Sequence, residues 1–516
     1  MGVSVRPAWA WPAVAVSIVA ASLAPFLVAD APAVLDYPNH LARFYVLAHP
    51  EDPFLSKVYV ARWAILPNVG MDVIGQALLR VLPPSVGGRL LLAVSLLAPF
   101  AGATLYARAA FGRWTWGSLG AGVIAYNGIF ILGFMNFLLG LGVALAGASA
   151  WRVLRRRGRG VAAALSGAAI GVCAFFCHLL GYGFFAILIG AQEGDELLRA
   201  WRDGRLSARA ALAAAARLAV ALGPAAALYV LTHRATRHGD ILWWSWPSKL
   251  MQWLVPFMIY DVRLTILTAI VVIGVIVLTW RRARRASGVL LALAGLLALY
   301  LVLPFAAAGG TFVDSRMSLM AALLLFAGVA PRVSPRAGAA IAAAFALVIA
   351  GRAALVADNW LGRAGDLVEL RADLAHIPAG ANILPANTEI PDAQPGAHGR
   401  MLPNYSRLDD HLAALALIER HAFWPLLFAD PSQQPVAVRP PYDQLAAPLG
   451  QVTPWRDLFD AAATPAEVRE YPYLRDWRAR FDYVLVVGPR PPAAPTPAAL
   501  TLIRAGDETS LYRIDR

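Results

Sequence analysis

Charge is scarce in this 516-residue chain, and lysine is almost missing. Asp, Glu, Lys and Arg supply 15% of the residues against 59% hydrophobic, a balance that excludes an ordinary soluble domain. Lys57 and Lys249 are the only lysines, so the net charge of +13 is nearly all arginine. Those arginines fall in short runs between apolar segments and do not build one basic face. That is how loops held on the inner side of a membrane look, and it argues against a nucleic-acid partner. Arginine in place of lysine, with abundant alanine, reads as GC-rich coding and hence a bacterial chain. Cysteine is also rare. Cys173 and Cys177 precede His178 with Cys-x3-Cys-His spacing, whereas haem attachment needs Cys-x2-Cys-His, so both read as small packing residues. There is no Gly-x-Ser-x-Gly, Walker loop, dinucleotide fingerprint or His-Glu-x-x-His, which leaves no basis for ATP-driven transport within the chain. No internal repeat is evident.

What the chain does have is long apolar runs, and these predict a polytopic α-helical membrane protein. The first, about 11–28, follows Arg6, which places the N-terminus inside. The small residues of "VADAPA" allow a signal-peptide cleavage, but an uncleaved anchor fits the many later spans better. Further spans are expected at about 89–110, as pairs of short helices within 117–151 and 161–190, and at 210–231, 265–280, 288–308, 317–330 and 336–357. The breaks fall near Asn127–Asn136 and at His178. The sum is about eleven spans, with "WRVLRRRGRG" (151–160) and "RRARR" (281–285) inside. A first outer loop covers 30–88. An outer loop at 232–264, with Trp243, Trp244, Trp246 and Trp253, suits the bilayer interface. The membrane domain is therefore 1–357.

From Asp358 the composition changes and no spanning run remains. "ANILPA" (381–386), "PVAV" (435–438) and "DYVLVVG" (482–488) read as buried strands, and 500–514 as a hairpin turning at Gly506-Asp507. Segments 366–377 and 409–421 have helical periodicity, and the proline-rich stretches 391–403 and 489–497 read as loops. Residues 358–516 are thus expected to form a C-terminal extracytoplasmic α/β domain.

This topology gathers Asp36, His40, Arg43, Asn127, Asn136, His178, Asp314 and Arg316 at the outer ends of spans, where ionisable groups are costly and often functional. Asp36 reads as a general base or a ligand for a divalent cation such as Mg or Mn, or as a plain helix-end carboxylate. His40, one turn on, reads as its orienter or as an interfacial histidine. Arg43 and Arg316 offer the guanidinium fork that suits phosphate; either could equally pair with a headgroup or, for Arg316, with Asp314. His178 reads as a site residue or a satisfied core histidine.

The acidic outer loop "LDYPNHLAR" directly after the first span, the short hairpins with "GFMNFLLGLGVAL", and the α/β domain after the last span together resemble the GT-C class of glycosyltransferases, over nearly the whole chain in layout. The resemblance implies a membrane enzyme that moves a sugar from a polyprenyl-phosphate donor to an extracytoplasmic acceptor of the bacterial cell envelope. Its partners would be that donor, membrane lipid and a glycan, lipid or protein acceptor. In that class an acid of the first outer loop serves as catalytic base or helps to bind a metal, and Asp36 matches that position. Tyr37 and Pro38 follow it, so the Asp-Glu and Asp-x-Asp forms are absent. The competing readings are a transporter or flippase of a lipid-linked sugar, with polar residues through the full membrane depth, and a scaffold of the same fold in which Asp36 is dispensable.

Overall fold

The structure is a computed structural model describing residues 10–232, 241–307, 309–390, 394, 400–459, 463–489 and 496–516. Arg6, residues 233–240 of the tryptophan-rich loop and most of the two proline-rich stretches lie outside the described residues. Seven helical segments are long and apolar enough to cross a membrane. They are α1 (Ala10–Leu23) with the 3-10 turn Ala24–Leu27, α5 (Pro84–Phe111), α7 (Met135–Arg156), α8 (Gly160–Cys177), α10 (Ala208–Thr232), α12 (Val262–Trp280), and α15 (Pro335–Gly362) with α16 (Ala364–Leu374). α9 (Leu179–Arg202), α13 (Val289–Val302) and α14 (Ser315–Gly328) occupy three more of the expected spans with 24, 14 and 14 residues. The chain is a polytopic membrane protein with a C-terminal sheet region.

The pair of helices expected within 117–151 forms differently. Trp116–Gly122 is a 3-10 segment and α6 (Gly128–Leu132) is short, so α7 alone runs as a long helix there. "WGSLGAG" carries three glycines in seven residues and is a poor helix former. Its buried position against α5, α14 and α15 tolerates the irregular backbone. The break expected at His178 does occur between α8 and α9, with His178 extended at φ −170° and ψ 137°.

α7 packs against α5, α8 and α9 at the centre of the bundle. A Cβ added to Gly181 would sit 2.9 Å from Gly140 Cα, so α7 and α9 touch backbone to backbone here, a contact that needs glycine on both sides. The bundle has two unlike ends. At one, Glu193 of α9 takes Arg155 of α7 (2.5 Å) and Arg217 of α10 (2.5 Å), beside the antiparallel strands β2 (Ala283–Arg285) and β3 (Val329–Pro331). This end collects the arginine-rich connections. The other end holds the first outer segment, the α8–α9 break, the α13–α14 connection and everything after α15.

There the first outer segment folds into α2 (Tyr37–Ala48), α3 (Leu55–Val58), β1 (Tyr59–Ala61) and α4 (Gly70–Leu79). The C-terminal sheet has the order β6-β4-β7-β9-β8, with β4 (Ile383–Asn387) parallel to β6 (Thr453–Pro454) and β7 (Tyr483–Val487). β8 (Leu500–Ala505) and β9 (Thr509–Ile514) form the terminal hairpin. The boundary expected at 357/358 falls inside α15, which continues to Gly362 before α16 packs on β9. Between β4 and β6, strand β5 (Val436–Val438) leaves the sheet and pairs antiparallel with β1, placing Tyr59 opposite Val438. Asn39 donates to Leu426 O at 2.8 Å, and Tyr59 Oη donates to Trp424 O at 3.0 Å. The C-terminal region is thus bonded to the first outer segment by backbone and side chain alike.

α2 is held to α4 by one ion pair. Arg43 Nε lies 2.6 Å from Asp72 Oδ1, with the two side chains 1% and 0% exposed. A buried charge that loses its partner typically costs about 3–5 kcal/mol, while an apolar replacement of both costs far less. Arg43→Ala is therefore expected to lower stability by about that amount, read as a fall in melting temperature in lipid. The double substitution Arg43→Met with Asp72→Leu should recover most of it.

Candidate functional site

Residues 34–36 run out of the first span and are zipped to α6. Leu35 N–H donates to Ile131 O at 2.9 Å and Asp36 N–H to Leu132 O at 3.1 Å. α6 is itself set by Asn127, whose Oδ1 accepts from Phe130 N–H at 3.0 Å. The chain then turns at Gly133, φ +95°, where a Cβ would stand 2.8 Å from Asp36 Cβ. Only glycine fits this turn, both for its dihedral and for its space. Asp36 takes the N-cap position of α2, but its carboxylate makes no capping bond and is left to face a cavity.

That cavity has a volume of about 290 Å³ and lies between the bundle end and the C-terminal region. Of the residues singled out in the sequence, Asp36, His40, Asn136, His178 and Arg316 line it. Asn136 works from the wall: its Oδ1 accepts from Met71 N–H at 2.6 Å and its Nδ2 donates to Asn68 O at 2.9 Å, which fixes α7 to the start of α4. Three others do not reach it, Asn127 among them, since it is spent on capping α6. Arg43, expected to hold phosphate, is sealed in its pair with Asp72, because α2 turns that face into protein. Asp314, expected beside Arg316, is instead the N-cap of α14, accepting from Ser315 N–H at 2.8 Å with Lys249 Nζ 3.5 Å away. Arg316 and Asp314 therefore do not pair with one another.

Arg316 is 8% exposed, and its guanidinium lies over the rings of Phe134 (4.6 Å) and Phe137 (5.4 Å). One nitrogen donates to Thr311 O at 3.0 Å, Nε has no partner, and Nη1 stands 2.9 Å from His178 Nε2. No carboxylate pairs with it among the described residues. His178 Nδ1 meanwhile accepts from Leu180 N–H at 3.0 Å. A neutral imidazole has one acceptor nitrogen, so with Nδ1 accepting, Nε2 carries the hydrogen. Arg316 and His178 then present two donors to each other. An anionic oxygen seated beside the pair, on the cavity side, would take both.

The C-terminal region supplies the opposite wall, with His411, Phe428, Gln433 and Gln434. Nδ1 of His411 lies 3.1 Å from Asp36 Oδ1. Phe428 is wedged between His411 and His40, at 5.1 Å from each ring. The imidazole beside Asp36 is thus His411, and the expected partner His40 packs edge-on against Phe428 instead. The sequence carries a hint of this in Asp409-Asp410-His411, but only the tertiary fold brings it to Asp36. Burial, with Arg43 and His411 nearby, holds His40 well below the ordinary imidazole value.

A divalent cation at Asp36 finds no ligand set. The cavity holds one carboxylate against an arginine and three histidines, and no group of three or more His, Cys, Asp or Glu with metal-holding spacing occurs among the described residues.

With this geometry in view, one solved structure matches nearly end to end. It is ArnT from Cupriavidus metallidurans bound to undecaprenyl phosphate, 12% identical, covering 98% of each chain with a TM-score of 0.54. The chain shares its fold with this ArnT structure. The apo-state structure of the same ArnT aligns over 98% of this chain and 97% of its own, at 13% identity and a TM-score of 0.41. No protein-family model matches the chain, and no curated protein sequence matches it.

Because His40 stays neutral in the folded state and titrates near 6.5 when unfolded, the unfolded chain takes up its proton first on acidification. Stability is expected to fall as pH drops below about 6.5, and His40→Phe should flatten that slope in melting curves taken from pH 7.5 to 5. Gly133→Ala is expected to force the turn away from Asp36 and to lower the melting temperature in lipid, since the position needs both a positive φ and the absent Cβ.

Proposed function

We propose that this chain is a membrane glycosyltransferase that moves a sugar from a polyprenyl-phosphate donor to a hydroxyl of an extracytoplasmic acceptor in the bacterial cell envelope. The observation that carries the reading is Arg316, a buried guanidinium with no carboxylate, facing the cavity of Asp36 with a second donor from His178 alongside. Leaving an arginine in apolar surroundings without a counter-ion is unfavourable unless a ligand supplies one. Phosphate suits the guanidinium fork. The fold is that of a protein captured with undecaprenyl phosphate, which supports the same class of ligand here.

A lipid tail has a route to this point. Trp243, Trp246, Leu250 and Met251 are exposed around α11 (Trp246–Met251), as are Leu301 and Val302 at the end of α13. Inward from this apolar surface the rings run Trp244, Phe305, Phe312, Phe134, at centroid separations of 4.1, 5.0 and 6.3 Å, and Phe134 underlies Arg316. On this reading the tail lies along α11 in the bilayer and the phosphate enters beneath the α13–α14 connection.

In the reaction the acceptor oxygen attacks the anomeric carbon, the bond from that carbon to the phosphate oxygen breaks, and the electron pair leaves with polyprenyl phosphate. Arg316 and His178 stabilise the developing phosphate charge as preorganised donors. The Asp36 side receives the acceptor and its proton. The arginine-rich end of the bundle then faces the cytoplasm, and the C-terminal region lies outside the cytoplasmic membrane.

The test is turnover of a panel of polyprenyl-phosphate sugars by purified protein in lipid, read as release of polyprenyl phosphate. Asp36→Asn is expected to abolish release while leaving donor binding intact. Arg316→Gln is expected to weaken undecaprenyl phosphate binding roughly 10- to 100-fold, the worth of a charge-assisted bond. Full turnover in both variants would contradict the assignment and favour a scaffold in which Asp36 is dispensable.

A further inference from the structure

The C-terminal region meets Asp36 through a single titratable side chain, and its geometry is specific. His411 approaches with Nδ1, 3.1 Å from the carboxylate, and that nitrogen is buried with no hydrogen bond made, the oxygen lying within reach but out of line for an N–H donor. Nε2 makes no hydrogen bond to protein among the described residues, and the ring lines the cavity. A small rotation of the ring would bring Nδ1–H into line with Asp36 Oδ1 and leave Nε2 as the basic nitrogen, the tautomer that a hydroxyl-activating His–Asp pair requires. The ring is also held firmly. Asp409, two residues earlier, is buried and takes Arg407 Nε at 2.6 Å and Arg400, while Arg407 donates to Val487 O at 2.9 Å at the end of β7. On its other side His411 packs edge-on against Phe428, whose backbone N–H is bonded to Asn39 Oδ1 at 3.4 Å. A side chain serving only as domain glue would not need this support in a loop beside a cavity.

We propose that His411 is the general base of the transfer, with Asp36 orienting its ring and stabilising the imidazolium, so that the C-terminal region completes the catalytic centre. The inference rests on the transferase reading and deepens it. The acceptor O–H bond breaks as its proton passes to His411 Nε2. The oxygen bonds to the anomeric carbon, polyprenyl phosphate departs, and the imidazolium later returns its proton to water. The charged and titratable groups facing His411 are Asp36 and His40 from the first outer segment and Asp410 from its own segment, with Arg316 acting on Asp36 from α14.

The deciding variant is His411→Asn. An asparagine amide takes the place of Nδ1 and can donate to Asp36, but offers nothing where Nε2 stood. His411→Asn is expected to melt and bind undecaprenyl phosphate like the wild type, to lose roughly 10²- to 10⁴-fold in kcat, and to lose the decline in rate that the wild type shows on acidification. Adding Asp36→Asn to His411→Asn should cost little more, since the two act as a unit. A rate within a few-fold of wild type in His411→Asn, with the acid decline retained, would overturn the proposal and leave Asp36 as base and the transferase reading intact. Failure of the wild type itself to release polyprenyl phosphate from any donor in the panel would overturn the transferase reading, and this inference with it.

Discussion

The arrangement depends on one buried cation. Arg316 sits over two phenylalanine rings at the start of α14, close to the membrane end of the bundle, with no carboxylate to neutralise it. Nearby arginines show what the alternative looks like. Arg43 is sealed against Asp72, and Arg352 spends its donors on Phe257 O, Tyr126 O and Thr268 Oγ1 to fasten α15 to the bundle. Those two are structural because their guanidinium ends are spent on protein oxygens, although Arg352 also lacks a carboxylate and leaves Nε unbonded. Arg316 keeps one nitrogen free, aims another at a histidine that is also a donor, and opens onto a cavity. Asp36, across the same cavity, offsets its charge without pairing with it, and under the proposed function a lipid phosphate completes that compensation.

The site is also divided between distant parts of the chain. Asp36 comes from the first outer segment, Asn136 and His178 from breaks in the bundle, Arg316 from α14, and His411, Phe428 and Gln433 from the C-terminal region. Three bonded contacts make the division workable: the β1–β5 pair, Asn39 to Leu426, and Tyr59 to Trp424. They fix the spacing across the cavity to hydrogen-bond precision. Under the proposed function this construction separates the lipid and acceptor roles physically. The aromatic path and Arg316 belong to the membrane end, and His411 with the glutamines belongs to the aqueous side.

The legible part of the sequence was what local chemistry dictates. Apolar runs bounded by arginines gave the span positions, and Gly181 and Gly183 after His178 marked the α8–α9 break. Alternating apolar segments marked β4, β5 and β7. The terminal hairpin was readable from Gly506-Asp507. Asp36 and Arg316 stood out because a charge at a span end demands a reason. The 3-10 segment at Trp116–Gly122 was less readable, because burial rather than periodicity decides its backbone. Arg43 was misjudged for a related reason: its partner Asp72 lies 29 residues away, on a helix whose packing against α2 no local pattern announces. His411 could not be assigned to the site at all, since its meeting with Asp36 spans 375 residues and follows only from the pairing of β5 with β1.

The central claim is that a lipid phosphate binds where Arg316 and His178 converge. The most direct measurement is a structure of the full chain in a lipid nanodisc with undecaprenyl phosphate added. The account predicts phosphate density within about 3 Å of both Arg316 Nη1 and His178 Nε2, with the tail leaving along the aromatic path toward α11. Phosphate density at another face of the bundle, with the cavity side of the Arg316–His178 pair unfilled, would contradict it.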